Sequence, residues 1–267
     1  MAGRRTRARR NTTSWSGGTR RTSCGPTSPT WAGTPTVTPA HSPRRLAPLR
    51  PPQHLRKPGN GGLFTALYDA VATHLGVPIY SLLGEKHRDW VPCAAWTRPA
   101  SPADLKVELR RAVEQGYMAL KMHTSPHFDL LQQLEAAEEV TPPGFKLHLD
   151  MNHNRSLAAV LPIIKELETH PIVAFIEDPL PYDDIDGWRT LRAETKIPLI
   201  MQGVPIPPAQ MLQLKLADVY MLGHDRHGSV ADIMAFGWAC ASANTPVILQ
   251  ETGGGGMIGK AMSLHMA

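Results

Sequence analysis

The amino-acid sequence predicts an α/β protein with a parallel (β/α) barrel, and three observations support this prediction. From Val91 onward, short apolar runs typical of buried strands alternate with longer segments of helical periodicity. The alternation gives seven strand–helix units at a spacing of roughly 25 residues, which is the pattern of a parallel sheet. Polar residues follow several of these strands, and in a barrel the carboxyl ends of the strands converge on one mouth.

An open, doubly wound sheet is the alternative arrangement of such units. It would gather ligand-binding residues at one switch point, often with a glycine-rich turn after the first strand. Here the first predicted strand is followed by TRPASP, which lacks that pattern, and the polar residues are spread over several strand ends. The barrel is therefore the better prediction.

The segment from residue 61 to residue 90 leads into the barrel and begins with an amphipathic helix, LFTALYDAVATHLG. Gly76 and Pro78 are predicted to end this helix, because glycine is favoured just after a helix and proline cannot continue one. A period of 3.6 residues assigns one apolar face to the core. The residues of this predicted inner face are Leu63, Leu67, Ala70, Val71 and Leu75.

The elements of the barrel, residues 91–267, follow in order. Strands are predicted at VPCAAWT, YMALKMHT, FKLHLDMN, IVAFIEDP, IPLIMQG, DVYMLGH and TPVILQE. Helices are predicted at SPADLKVELRRAVEQG, FDLLQQLEAAEEV, SLAAVLPIIKELE, IDGWRTLRAET, PAQMLQLKLA, SVADIMAFGWACASA and GMIGKAMSLHM. Ser101 and Asp104 have the spacing of a capping box at the start of the first of these helices.

Residues 1–60 differ in composition from the rest of the chain. They carry 12 of the 28 Lys and Arg residues and none of the 23 Asp and Glu residues, so the remaining chain is mildly acidic. This Pro-, Thr- and Arg-rich segment lacks apolar periodicity and is predicted to be disordered. Three interpretations are open: a basic arm for nucleic acid, a transit peptide, or an artefactual start, which we favour. A nucleic-acid partner is not expected, because no folded nucleic-acid-binding motif accompanies the arginines.

The cysteines and the hydropathy pattern limit the class of protein. Three cysteines at wide spacing predict neither a disulfide framework nor a zinc site. No apolar run reaches the length of a membrane span, and no secretory signal is recognisable. We therefore expect a soluble protein of a reducing compartment, the cytoplasm, with no membrane partner.

Charged side chains stand near the carboxyl ends of three consecutive predicted strands. The second strand carries Lys121 and His123 on one face, the third ends with Asp150, and the fourth ends with Glu177. A single acidic residue at a strand end is more often a helix cap or a solvated loop residue than a functional group. Consecutive strands with the same inward parity nevertheless favour a shared site, in which carboxylates suit Mg²⁺ and a lysine or imidazole suits proton transfer.

Five segments resemble the mandelate racemase/muconate lactonizing branch of the enolase superfamily. They are ALYDAVATHLGVPIYSLLGE, LKMH, LDMN, IEDPL and SLHMA, and their order and spacing agree over residues 61–267. The resemblance implies a TIM-like barrel of the enolase type, (β/α)7β. It also implies that Mg²⁺ binds the carboxylate of a small acid, such as a sugar acid, while bases on either side remove the α-proton.

The resemblance also implies roles for the four charged residues. Asp150 and Glu177 would be the Mg²⁺ ligands, and Lys121 and His123 would be the groups on the acid/base side. An imidazole can accept a proton at neutral pH. A lysine would first need its pKa lowered, which a nearby Mg²⁺ would favour.

Three positions depart from the family pattern. Gly203 stands where the family has its third carboxylate ligand, and the adjacent Gln202 offers only weak coordination. Gly223 and Gln250 stand where the family has the Asp and His of the opposite base, although Glu251 is a candidate replacement acid. A two-base racemase is therefore disfavoured, and Mg²⁺-dependent sugar-acid dehydration is the predicted activity. The alternative is a non-catalytic barrel of this superfamily.

The two ends of the chain also depart from the family. The family's α+β cap domain should precede residue 61, where no such domain is recognisable, and an eighth strand should follow residue 267. A seven-stranded barrel leaves edge strands unpaired. We therefore expect a homo-oligomer, rearranged ends or a longer reading frame.

Overall fold

The computed structural model describes residues 61–223, 227–250 and 256–267. The strands are β1 Ala95–Thr97, β2 Ala119–His123, β3 Lys146–Asp150, β4 Val173–Glu177, β5 Leu199–Met201, β6 Val219–Leu222 and β7 Val247–Leu249. The helices are α1 Gly61–Leu75, α2 Tyr80–Leu83, α3 Pro102–Glu114, α4 Leu130–Val140, α5 Leu157–Leu167, α6 Ile185–Glu194, α7 Pro208–Leu214, α8 Val230–Ser242 and α9 Gly256–Met266.

The strands form one sheet in which each strand pairs with the next along the chain. Every neighbouring pair is parallel, and the sheet curls into a half-barrel with helices between the strands. Within the described residues, β1 and β7 each have only one neighbouring strand. The predicted fold class and the predicted order of strands and helices are confirmed, although each strand is shorter than the apolar run that predicted it.

Some predictions concern residues outside the described part of the chain, namely those on residues 1–60 and on Glu251. Among the described residues, no helix is both long enough and apolar enough to cross a membrane. Two of the three cysteines are described, and Cys93 is exposed whereas Cys240 is buried.

Side-chain caps fix the starts of the helices that follow the first three strands. The hydroxyl of Ser101 accepts the backbone N–H of Asp104 at the start of α3, as the capping pattern predicted. Asp129 and Ser156 cap α4 and α5 in the same way. These caps lie in the loops that leave the carboxyl ends of the strands, so they hold the helix starts beside the mouth of the half-barrel.

The two faces of the sheet have different surroundings. On the outer face, Leu147 and Leu149 of β3 are fully buried in the main core under the helices. The inner face is polar along β2 and β3 and at Glu177, the last residue of β4. Along β5 and β6 it becomes apolar, where Ile200, Val219 and Met221 form a separate buried cluster. Alternation along each strand therefore separates a helix-covered core from a half-polar lumen.

The predicted inner face of α1 is wrong. Leu63, Leu67 and Leu75 are each close to half exposed, whereas Phe64 and Tyr68 of the adjacent face are buried. The aromatic face packs against Ile79, which directly precedes α2, Val230 of α8 and Met262 of α9. Helix α1 is apolar on two faces, and the face with the larger aromatic side chains is the one that packs, because it buries more apolar area.

Candidate active site

Strand register brings the four predicted site residues together at the carboxyl ends of β2, β3 and β4. His123 is paired in register with Asp150, and Asp150 is paired with Glu177. Lys121 precedes His123 by two residues and therefore lies on the same inner face. Lys121, Asp150 and Glu177 are buried, and His123 is partly buried. The four side chains form one polar cluster, while their chemical roles remain predictions.

The ammonium group of Lys121 lies between the two carboxylates. Its Nζ is 2.9 Å from Oδ2 of Asp150 and 2.6 Å from Oε2 of Glu177. The same Nζ lies 3.8 Å from Sδ of Met221 on β6. Lys121 therefore balances part of the negative charge of two carboxylates that would be costly to bury without a cation.

Burial and charge act in opposite directions on the pKa values of Lys121 and Glu177. Burial disfavours the ammonium, but the charges of Glu177 and Asp150 outweigh it and raise the pKa of Lys121 above its ordinary value. Burial also disfavours the Glu177 carboxylate, but its contact with His148 and the charge of Lys121 outweigh it and lower the pKa of Glu177. The shift of Lys121 is the reverse of the one that a lysine base requires.

His148, two residues before Asp150 on β3, adds a second contact to Glu177. Its Nε2 lies 2.6 Å from Oε2 of Glu177. The other carboxylate oxygen, Oε1, is buried and accepts no hydrogen bond within the described residues. A buried carboxylate oxygen without a donor offers a ligand position to a cation.

His123 is held by residues on both neighbouring strands. Its Nδ1 lies 3.1 Å from Oδ1 of Asn152, and its Nε2 lies 3.5 Å from Oδ2 of Asp150. The ring of Trp96 on β1 meets the imidazole edge-on, with 5.7 Å between the ring centroids. Asn152 has a positive φ of 54°, and its backbone N–H donates to Oδ1 of Asp150. A compact turn after β3 thus places the amide beside the imidazole.

Asp178, directly after β4, is a third buried carboxyl group and lies next to Glu177 in the chain. Its Oδ2 accepts a hydrogen bond from the hydroxyl of Tyr182 at 2.5 Å, and its Oδ1 accepts the backbone N–H of Gln202 at 3.0 Å. Burial raises the pKa of Asp178 to about 7, against the opposing effect of these two hydrogen bonds. The ring of Tyr182 also packs on His153, at 4.6 Å between centroids. Asp178 therefore ties the loop after β4 to the end of β5.

The carboxyl end of β5 supplies no carboxylate. A Cβ built on Gly203 would lie 2.3 Å from Cδ1 and Cγ of Tyr182, so the tyrosine ring occupies the space of a side chain at this position. The amide of Gln202 donates to Oε1 of Gln250, which follows β7. Gln250, which departs from the expected pattern, thus contacts Gln202, and Tyr182 fills the space beside Gly203.

The donor set fits Mg²⁺ held by two carboxylates. Asp150 and Glu177 provide hard oxygen ligands on adjacent strands, and Oε1 of Glu177 has no competing donor. The described residues contain no group of three or more His, Cys, Asp and Glu side chains arranged to hold a metal. Mg²⁺ retains several waters in protein sites, so two carboxylates are a sufficient set. The ammonium of Lys121 would compete with the ion for the same oxygens.

Sequence reasoning missed the Asp178–Tyr182 pair. Tyr182 lies in the loop PLPYDD, where neither a two-residue nor a 3.6-residue period indicates which way a side chain points. Alternation along β4 places Asp178 on the face opposite Glu177 but does not identify its partner. The single available signal was Gly203, because a glycine at a strand end can mark the close approach of another group.

Comparisons with known proteins give one family. The family model described as "Enolase C-terminal domain-like" matches residues 104–267. A D-galactonate dehydratase from Variovorax paradoxus is 30% identical over 149 residues, which are 52% of this chain and 38% of that protein. An N-succinyl-L-Arg/Lys racemase from Bacillus cereus is 25% identical over 138 residues, which are 51% of this chain and 37% of that protein.

A solved structure supports the fold. D-glucarate dehydratase from Agrobacterium tumefaciens, complexed with magnesium, superposes with a TM-score of 0.64 at 19% identity, covering 75% of this chain and 57% of that chain. The chain thus spans less than two thirds of the length of the relatives to which it is similar.

Proposed function

This chain belongs to the enolase C-terminal domain-like family, in the mandelate racemase/muconate lactonizing branch of the enolase superfamily, and we propose that it removes the α-proton of a small carboxylic acid. The observation that carries the proposal is the contact of Lys121, His123, Asp150 and Glu177 at adjoining strand ends. Relatives that act on sugar acids, such as the D-galactonate dehydratase, support a sugar acid as the substrate.

His123 is proposed as the group that accepts the proton. The Nδ2 of Asn152 lies 3.4 Å from the backbone oxygen of Asp150, which orients the amide so that its oxygen faces the imidazole. The neutral ring then carries its proton on Nδ1 and presents a lone pair at Nε2. After transfer, the positive charge on the imidazolium lies beside Oδ2 of Asp150, at 3.5 Å.

Lys121 is proposed to act as a fixed cation rather than as the base. Its Nζ lies within 3 Å of two carboxylate oxygens, so the proton on this group is held by both. A buried positive charge stabilises negative charge that develops on a neighbouring carboxylic acid substrate. Its role thus differs from that of His123, although both residues lie on the same strand.

Asp150 and Glu177 are proposed to hold Mg²⁺. When bound, the ion supplies positive charge that stabilises the negative charge developing on the substrate carboxylate. The magnesium in the glucarate dehydratase structure supports this choice of ion.

The residues that follow β5 and β7, Gln202 and Gln250, favour dehydration over racemisation. Racemisation by two bases needs a proton carrier on each face of the substrate, and the Gln202 and Gln250 amides do not exchange protons near neutral pH. Dehydration needs one base that also serves as the acid. His123 takes the α-proton and returns it to the β-hydroxyl, which leaves as water, and the enol product tautomerises to a 2-keto-3-deoxy acid.

Proton exchange in D₂O tests the reaction. The full chain with Mg²⁺ is incubated with D-galactonate, D-gluconate and N-succinyl-arginine, and loss of the C2 proton is followed by NMR. We expect the aldonates to react and a 2-keto-3-deoxy acid to form. His123→Asn should abolish the reaction, and His127→Asn, at an exposed position four residues away, should not. Exchange of the N-succinyl amino acid alone, or no exchange at all, would reject the dehydratase assignment.

Calorimetric titration tests the metal site separately from turnover. We expect saturable Mg²⁺ binding that is lost in Asp150→Ala. Binding should be retained in Asp89→Ala, the control, which removes an exposed aspartate that precedes the first strand. If binding is absent, or is the same in Asp150→Ala as in the unmodified chain, the proposed metal ligands are wrong.

A further inference from the structure

A cavity of about 370 Å³ lies outside the barrel lumen, between the β2–α4 connection and α5. Its size is in the range of small-molecule sites. Most of its wall is apolar, formed by Pro126, Phe128, Leu130, Leu131 and Ile163. The connection that forms one side is well ordered, because the backbone N–H of Phe128 donates to the oxygen of Ser125 and Asp129 caps α4. The cavity is therefore a built feature of the fold.

Arg155 is the cation of this wall, and its guanidinium makes only long hydrogen bonds. One terminal nitrogen lies 3.4 Å from Oγ1 of Thr124 and the other lies 3.4 Å from Oδ1 of Asn154, both long for hydrogen bonds. The Nε atom is buried and has no hydrogen-bond acceptor, and Arg155 has no carboxylate partner among the described residues. Burial without a counter-ion lowers the pKa of Arg155. Terminal nitrogens with only long hydrogen bonds can take better-placed acceptors from a ligand in the cavity.

The chemistry of the wall selects the ligand. A carboxylate is planar and accepts two parallel N–H donors, which matches the two terminal nitrogens of a guanidinium. The apolar residues require an apolar body attached to that carboxylate. Asp129 and Glu166 also line the cavity, and their negative charges disfavour ligands with a second negative charge. We propose that this cavity binds a small monocarboxylate with an apolar tail, with its carboxylate on Arg155 and its tail against Phe128, Leu130 and Ile163.

The proposed site is distinct from the candidate active site but touches the same backbone. Thr124, which contacts Arg155, donates both its backbone N–H and its hydroxyl to the backbone oxygen of Asp150, at 2.8 and 3.1 Å. The side chain of Asp150 faces the lumen, whereas Arg155 faces the cavity. Two carboxylate-binding positions therefore lie on the two sides of one strand end.

Octanoate is a suitable probe, and octanamide is its neutral match. Binding to the full chain is measured by calorimetry below the concentration at which octanoate forms micelles. We expect saturable binding of octanoate that is weaker by about tenfold or more in Arg155→Gln, because a charge-assisted hydrogen bond is lost. Octanamide should bind the unmodified chain about tenfold or more weakly than octanoate does, because it carries no charge. Arg110→Gln, at an exposed position on α3, should bind octanoate like the unmodified chain.

Three further arms keep the outcome decisive. Leu131→Trp fills the cavity from its rim without touching the arginine, and it should weaken octanoate binding even if Arg155→Gln fails to fold. His123→Asn should leave binding unchanged, and a loss there would assign octanoate to the lumen and overturn the proposal. Tighter binding of octyl phosphate than of octanoate would overturn the choice of a singly charged ligand. Absence of saturable binding, or equal binding in Arg155→Gln, would reject the site.

Discussion

The ring of Tyr182 lies against the backbone of Gly203 so closely that a Cβ at this position would be 2.3 Å from two ring carbons. Contacts of this kind are far inside van der Waals distance, so no side chain fits at residue 203 while the ring stays in place. The ring is held by the hydrogen bond from its hydroxyl to Asp178 and by packing on His153. Tyr182 and Gly203 are thus matched in size.

The matched pair predicts a measurable coupling. Gly203→Ala should lower the free energy of unfolding by about 1–3 kcal/mol, because the ring must move and a well-packed site is overfilled. In a Tyr182→Ala background the same change should cost much less. Urea unfolding of the two single variants and the double variant gives the coupling energy. Gly62→Ala, where an added Cβ meets no atom within 4 Å, is the control and should cause no loss. Equal costs of Gly203→Ala in both backgrounds would contradict the steric explanation.

Removing the ammonium of Lys121 should destabilise the fold strongly. Lys121→Met leaves the buried carboxylates of Asp150 and Glu177 without the cation that lies 2.9 and 2.6 Å from them. Loss of one partner from a buried ion cluster costs about 3–5 kcal/mol, which urea unfolding at neutral pH would detect. Lys106→Met is the matched control, because it removes an exposed ion pair with Glu139, and such pairs contribute little. Similar unfolding free energies for the two variants would show that the cluster is not held by charge.

Stability should fall at alkaline pH because of two buried acids far from the lumen. Burial raises the pKa of the Cys240 thiol from 9.0 to about 11 and the pKa of the Tyr220 phenol from 10.0 to about 12. A raised pKa in the folded state means that the unfolded chain releases its proton first. The contribution to stability is therefore complete below about pH 9 and is lost as the pH rises through about 11 and 12.

Unfolding free energies measured from pH 8 to pH 12 check this window. Tyr220→Phe loses the hydrogen bond from its hydroxyl to the backbone oxygen of Met211, but it should flatten the upper part of the pH profile. Cys240→Ala should flatten the lower part, whereas Cys93→Ala, which removes an exposed thiol, should not. A profile that is the same in all three variants would assign the alkaline loss to other groups.

The order of elements and the membership of the polar cluster follow from the sequence alone. A two-residue period fixes which residues of a strand share a face, so Lys121 and His123 were expected together, with Asp150 and Glu177 on the neighbouring strands. Parallel strands in sequence order place those faces side by side. The family resemblance covers the same residues, and the structure brings these side chains together.

Contacts between strands were less predictable, because they depend on register and on loops. The side chains of His148 and Glu177 are in contact, and the strand register shifts between Leu147 and His148. Alternation along the strand does not reveal such a shift. Tyr182 reaches Gly203 from a proline-rich loop with no period of its own. The sequence thus predicts which side chains enter the lumen better than it predicts which of them touch.

Helix α1 shows a further limit, because a period of 3.6 residues identifies apolar faces but does not choose between two of them. The structure buries Phe64 and exposes about half of Leu63, which directly precedes it in the chain. Phe64→Ala should therefore lower the free energy of unfolding by about 3–5 kcal/mol. Leu63→Ala should change it by about 0.5 kcal/mol or less, since exposed positions tolerate truncation. Urea unfolding distinguishes the two faces, because a larger loss from Leu63→Ala than from Phe64→Ala would mean that the leucine face packs in solution.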